Sequence, residues 1–233
     1  MVTFVAILAC VGCATRSEAP TVSAAPTAEA AGMVDIRSLV PDIDTDIRYA
    51  GSDNFVGAPV TGYEAPRCYL LHPVAQALQR VEQALREDGY RLRIYDCYRP
   101  VRAVRHFVAW AGDLDDQHTK PRYYPHIDKS ALLGDYIAAS SGHSRGATVD
   151  LTLLQCETGT TSCRPLDMGT DFDFFDATAH TDTPQVTPPQ RENRQRLRAA
   201  MQAQGLRNYP LEWWHYTLRP EPAPTVAYDF PVR

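Results

Sequence analysis

Two short stretches carry residues whose types and spacing can do chemistry together. Ser141 to Asp150 reads SGHSRGATVD and holds His143 and Asp150, with Gly146 between them. Near the C-terminus, Leu211 to Leu218 reads LEWWHYTL, with Glu212 just before His215. Two imidazoles and one carboxylate make the donor set of a three-ligand zinc site whose fourth position stays open for water. Glu212, close in sequence to a ligand, is placed to reach that water. The set then contains a Lewis acid, an activated water and a general base, the parts of a metallohydrolase. Each member also has a plainer reading. His143 and Asp150 alone are most often solvated surface groups, and His215 among aromatics reads as a packed core histidine. Glu212 between Leu211 and Trp213 is harder to dismiss, because a half-buried carboxylate needs a partner.

The positioning elements follow from periodicity. Ala147 to Leu154, ATVDLTLL, alternates as a half-buried strand. Thr148, Asp150 and Thr152 share one face and Val149, Leu151 and Leu153 the other, so Asp150 points out of the apolar layer. His143 sits before the strand, on a turn that Gly146 tightens. A regular strand at 211–218 places Glu212 and His215 on opposite faces, so service to one site requires a turn or bulge between them. Upstream, Arg91 to Tyr95 alternates as a strand and runs through Asp96-Cys97-Tyr98-Arg99-Pro100 into a helix from Val101 to about Ala111. Charged residues at such a junction are common binding groups. On spacing alone Arg99 is a surface arginine; beside a site it is an oxyanion or carboxylate clamp.

The rest of the chain supplies scaffold. Residues 34–50 read as a lead-in with short extended pieces, 54–66 as a loop and 68–71 as a short strand. Pro73 to Asp88 is an amphipathic helix with Pro73 at its first turn and Gly89 as its stop. Residues 113–129 are polar and aromatic, with His118 and His126 at the surface. Ser130 to Ala139 reads as a short helix, and Gln190 to Gln204 as a helix stopped by Gly205. Asp173 lies among aromatics in FDFFD, where a charge requires a cation unless it turns outward.

Composition bounds the partners. The net charge is −5 with no basic run, which excludes a nucleic-acid surface. Residues 1–13, MVTFVAILACVGC, form an apolar segment too short to span a bilayer as a stable helix. It resembles a secretory signal with a bacterial lipobox at Cys10 or Cys13. Residues 14–33, rich in Ala, Pro, Ser and Thr, suit a disordered tether, followed by one folded domain over 34–233. That places the protein on the periplasmic side of the cell envelope, touching membrane only through a lipid anchor. An exported protein oxidises its cysteines. Cys156 and Cys163 bracket a short loop and are expected to pair, leaving Cys68 with Cys97; free buried thiols are the alternative.

Taken in order, YDCYRPVRA, SGHSRGATVDLTL, FDFFD and EWWHYTL resemble the zinc D-alanyl-D-alanine dipeptidases, the VanX-type enzymes, from about Asp46 to the terminal YDFPVR. The resemblance implies zinc as cofactor, with His143, Asp150 and His215 as ligands. It implies Glu212 as catalytic base and Arg99 as stabiliser of the tetrahedral intermediate. Asp173, Ser141, Tyr49 and Asp96 fall where substrate-contacting or supporting groups stand. The substrate is then a small D,D-dipeptide, a product of cell-wall metabolism. The expected fold is α+β: a central, mainly antiparallel sheet with flanking helices, of the Hedgehog and D-Ala-D-Ala peptidase kind. Thr148 departs from the pattern, which usually has alanine there. A D,D- or L,D-carboxypeptidase on the same scaffold, and a zinc-stabilised binding domain, are the competing readings.

Overall fold

The computed structural model describes residues 20–157 and 162–233. Cys10, Cys13 and the signal segment lie outside the described residues. The elements run β1 (Thr21–Ser23), β2 (Met33–Asp35), β3 (Asp44–Thr45), β4 (Tyr69–Leu71), α1 (His72–Glu87), β5 (Tyr90–Asp96), α2 (Val101–Gly112) and α3 (Lys120–Tyr123). Then follow β6 (Thr148–Cys156), β7 (Cys163–Pro165), α4 (Pro188–Ala203), β8 (Leu206–Tyr209), β9 (Glu212–Leu218) and β10 (Val226–Tyr228). The main sheet has the order β3-β5-β6-β9-β8, with β7 paired to the far end of β6. Only β3–β5 is parallel; the other pairs in this sheet are antiparallel.

Helix α1 buries Val74, Ala77, Leu78, Val81 and Leu85, the stripe expected from its period. Its Glu82 is buried too, which a helix tolerates only with donors at hand. Glu82 accepts from Arg86, from Arg91 and from the Leu92 backbone N–H at 2.8 Å, so it ties α1 to β5. Strand β6 is buried from Thr148 through Leu154 on both faces. This corrects the half-buried strand expected from alternation. Its polar face is covered by protein rather than by solvent, with Thr148 lying against Gly142 and Thr217.

Both expected disulfides are present, Cys68–Cys97 and Cys156–Cys163. Two other expectations are corrected. Residues 20–33 are no tether: β1 pairs in parallel with β10, while Ala31 and Met33 are buried against the domain. Short side chains let this segment lie close to the body of the protein, so the folded unit begins well before residue 34. The expected helix at 130–139 is a single 3₁₀ turn, Lys129–Ala131, followed by Gly134 at φ 115° and a bridge between Leu133 and Ile137. A left-handed glycine ends the helical path there.

Arg194, on α4, is fully buried and holds the loop bearing Asp173. It donates to the carbonyls of Met168 (2.7 Å), His180 (2.8 Å) and Thr178 (2.9 Å). Burial lowers its pKa to about 10. Arg194→Leu strips three carbonyls of their donor, and each buried unsatisfied group costs about 1–3 kcal/mol. The expected result is a loss of about 3 kcal/mol or more in guanidinium unfolding at unchanged m-value, with water recovering part of the sum.

Candidate metal centre

Three neighbouring strands deliver one residue each to a row across the sheet. Asp96 on β5 lies opposite Asp150 on β6, and Asp150 lies opposite His215 on β9. Opposed residues in antiparallel strands project to the same face. The middle strand is regular and both flanking strands are not. On β5 the register slips between Ile94 and Asp96, so Tyr95 is the extra residue. Without that bulge Asp96 would share the apolar face of Ile94. On β9, Glu212 pairs with Tyr209 while Tyr216 pairs with the adjacent Asn208. Residues 213–215 therefore leave the ladder with β8. This is the irregularity that the Glu212–His215 spacing requires, and Glu212 Oε2 lies 3.3 Å from His215 Nδ1.

His143 arrives from a 3₁₀ turn, His143–Arg145, that Gly146 closes at φ 69°. The positive φ is what favours glycine here; a Cβ would come closest to the flexible end of the Met33 side chain, which can move aside. The His143 ring is oriented by the backbone of the Cys97 segment. Its Nδ1 lies 2.7 Å from the Cys97 carbonyl, which can only accept, so Nδ1 carries the proton and Nε2 presents its lone pair. That Nε2 stands 3.2 Å from Asp150 Oδ2 and 3.3 Å from His215 Nδ1. His215 Nδ1 is in turn 3.1 Å from Asp150 Oδ1.

The residues fit a divalent metal. One ligand atom from each of His143, Asp150 and His215 lies within 4.8 Å of the other two. Asp150 is 2% exposed, yet its Oδ1 receives no hydrogen bond of proper geometry. A buried carboxylate with a ring nitrogen close to each oxygen, and no hydrogen bond of proper geometry on Oδ1, is a place for a cation. The donor set of two imidazoles and one carboxylate suits Zn²⁺. Charge agrees with this. Burial lowers the His215 pKa, but hydrogen bonds and charge from Asp150 and Glu212 outweigh it and raise it to about 9. Burial raises the Asp150 carboxyl, and the His143 and His215 rings more than offset it, holding it below the usual carboxylate range.

Arg99 closes one side. It donates to Asp96 Oδ2 at 2.8–2.9 Å, and its Nη2 comes within 3.5 Å of Asp150 Oδ2. The guanidinium lies over the adjoining rings of Tyr49 and Phe107, 5.1 and 5.0 Å from their centroids. Asp96 itself is fully buried, held by the Tyr63 hydroxyl at 2.6 Å, and does not line the cavity above the row. It is a support for Arg99 and His143 rather than a substrate contact. Tyr63 had no sequence signal, since a tyrosine in a loop has no period to betray it.

That cavity has a volume of about 250 Å³ and is lined by Arg99, Ser141, His143, Asp150, Asp173, Glu212 and His215 among others. Ser141 also accepts from the His143 N–H at 3.2 Å. Asp173 turns inward: it is 4% exposed, adopts φ 59°, and accepts from the Tyr49 hydroxyl at 2.9 Å. Burial and the nearby Asp150 charge push its pKa well up. Thr148 is absent from the cavity. Its hydroxyl lies 2.9 Å from that of Thr217 and fills the space where a Gly142 side chain would go. The departure from the family pattern thus sits under the His143 turn. His118 and His126 are at the surface beside Asp116 and Asp176, away from the cluster.

A family model described as D-ala-D-ala dipeptidase matches residues 29–233. The chain is 39% identical over 203 residues to a D-alanyl-D-alanine dipeptidase of Enterococcus faecium, covering 87% of this chain and 98% of that one. It is 42% identical over 198 residues to the Streptomyces coelicolor protein of the same name, covering 84% and 96%. The Escherichia coli protein of that name is 32% identical over 186 residues, covering 80% and 84%. A solved vancomycin-resistance D,D-pentapeptidase, VanY in complex with Zn(II), is more distant: TM-score 0.39 at 17% identity, over 65% of this chain and 73% of that one. The chain belongs to the D-Ala-D-Ala dipeptidase family. The family and the enzyme class expected from the motifs are therefore the ones found.

The expected roles of ligand and base predict different losses. His143→Ala and His215→Ala are expected to lose bound zinc in equilibrium dialysis. Glu212→Gln is expected to retain it while kcat falls about 10²–10⁴-fold, the usual contribution of a general base.

Proposed function

We propose that this chain is a zinc-dependent dipeptidase that hydrolyses D-Ala-D-Ala, with His143, Asp150 and His215 holding the metal. One observation carries the reading. A single small cavity has the ligand cluster and a carboxylate base in its wall, together with a second, buried carboxylate at Asp173. Zinc held by His143, Asp150 and His215 would supply the Lewis acidity to polarise the scissile carbonyl and acidify the attacking water. Glu212 takes the proton of that water and returns one to the leaving amine. Arg99, locked by Asp96 and two aromatic rings, donates to the developing oxyanion, an effect typically worth about 3 kcal/mol per donor. Asp173, oriented by Tyr49, pairs with the free ammonium of the substrate, and Ser141 lines the same space. A longer or acylated peptide has no ammonium at that point and leaves the Asp173 site unpaired, so the cavity selects dipeptides.

The scaffold reading extends this: the sheet with its two bulges is of the Hedgehog and D-Ala-D-Ala peptidase kind. The place of action is the periplasmic side of the cell envelope. The signal-like segment with Cys10 and Cys13 supports it, as does the pair of disulfides, which suits an oxidising compartment. Among the described residues no helix is long and apolar enough to cross a membrane.

Steady-state kinetics on D-Ala-D-Ala and N-acetyl-D-Ala-D-Ala test the substrate assignment. The free dipeptide is expected to be turned over and the acylated one to be poorer by about 10²-fold or more, as for a site whose buried polar group is left unpaired. Equal turnover of both would assign the enzyme to the carboxypeptidases. Asp173→Asn is expected to lower kcat/KM for the free dipeptide by a similar factor and to leave the acylated one unchanged.

A further inference from the structure

The β9 bulge exposes backbone groups that the ladder with β8 no longer satisfies. Residues 213–215 are looped out of that pairing, which puts the carbonyls of Glu212 and His215 on either side of the gap. One side chain bridges them. Asn208, on β8, donates from Nδ2 to the Glu212 carbonyl at 2.9 Å and to the His215 carbonyl at 3.1 Å. Its Oδ1 accepts from the Thr181 hydroxyl at 2.6 Å. The amide has one workable orientation: reversed, its oxygen would face two carbonyls. Thr181 is fixed in turn, since its N–H donates to the Pro210 carbonyl at 2.9 Å and its side chain is buried.

We propose that Asn208 is a positioning residue that sets the distance between the base Glu212 and the ligand His215 by clamping both ends of the bulge. The inference rests on Glu212 being the base. His215 has a second hold, its register partner Asp150 across β6, whereas Glu212 lies beyond that pairing and is held in the sheet through its register pairing with Tyr209 at the edge of the bulge. Loss of the clamp therefore moves the Glu212 carboxylate more than it moves the His215 ring. No side chain other than asparagine offers two donors from one nitrogen and an acceptor on so short a stem; aspartate has the shape but would set an oxygen against two carbonyls.

The test combines zinc-affinity measurement by chelator competition with kinetics on D-Ala-D-Ala, in the wild type and in Glu212→Gln. In Asn208→Ala the zinc affinity and KM are expected to change less than about threefold while kcat falls about 10–100-fold, the scale of a small misplacement of a catalytic group. In the Glu212→Gln background the same substitution is expected to change the residual rate less than about twofold, because it acts through the missing group. Thr181→Val keeps Asn208 and removes only the hydroxyl anchoring it; a kcat loss of about 3–10-fold is expected, and it decides the matter if Asn208→Ala does not fold. An unchanged kcat, a loss equal in both backgrounds, or a loss that tracks zinc release overturns the proposal. Near wild-type turnover by Glu212→Gln alone, read first, overturns the base assignment and the clamp with it.

Discussion

Asp150 is a buried carboxylate with a ring nitrogen close to each oxygen and no hydrogen bond of proper geometry on Oδ1, and the organisation of the site follows from that debt of positive charge. An uncompensated anion in the middle of a sheet is costly. The surrounding residues do not neutralise it with a close arginine. Arg99 is drawn off to Asp96 and approaches Asp150 only at 3.5 Å. The two histidines come closer but cannot both point protons at it, because the His143 proton is committed to the Cys97 carbonyl. The site is thus built to be completed by a cation, and its neighbours are arranged to leave that place open.

The sheet meets this demand by combining a regular strand with two irregular ones. Regular pairing would give Asp150 a lone neighbour on its face. The bulge at Tyr95 brings Asp96 round, and through it Arg99; the longer bulge at 213–215 brings both His215 and Glu212. Bulges near active sites re-aim side chains in this way. The remaining ligand comes from a loop, but a constrained one. The Arg99 N–H donates to the His143 carbonyl at 3.3 Å, and the Leu71 N–H to the Gly146 carbonyl at 2.9 Å. The Cys68–Cys97 bond joins the ends of β4 and β5 beside these contacts. His143, Arg99 and the disulfide therefore share one knot of backbone.

The chemistry was legible because it is carried by residue types at short spacing: His143 with Asp150, and Glu212 with His215. The periodic elements were legible too, α1, α2, α4 and the cores of β5, β6 and β9. What resisted was everything set by pairing between distant segments. Spacing required a bulge in β9 but could not name Asn208, because an asparagine spanning a gap in a neighbouring strand leaves no local pattern. Thr148 shares the strand face of Asp150, yet it lies outside the cavity, because the turn above it, with Gly142, takes up its hydroxyl. Residues 20–33 had the composition of a tether, and only their pairing with β10 and the burial of Met33 make them part of the domain.

Zinc K-edge X-ray absorption of the loaded wild-type protein addresses the central claim most directly. The account predicts nitrogen and oxygen donors at about 2.0–2.1 Å in a four-coordinate shell, two of them imidazole, and loss of that shell in Asp150→Asn. A sulfur donor at about 2.3 Å, or an unaltered shell in Asp150→Asn, would contradict it.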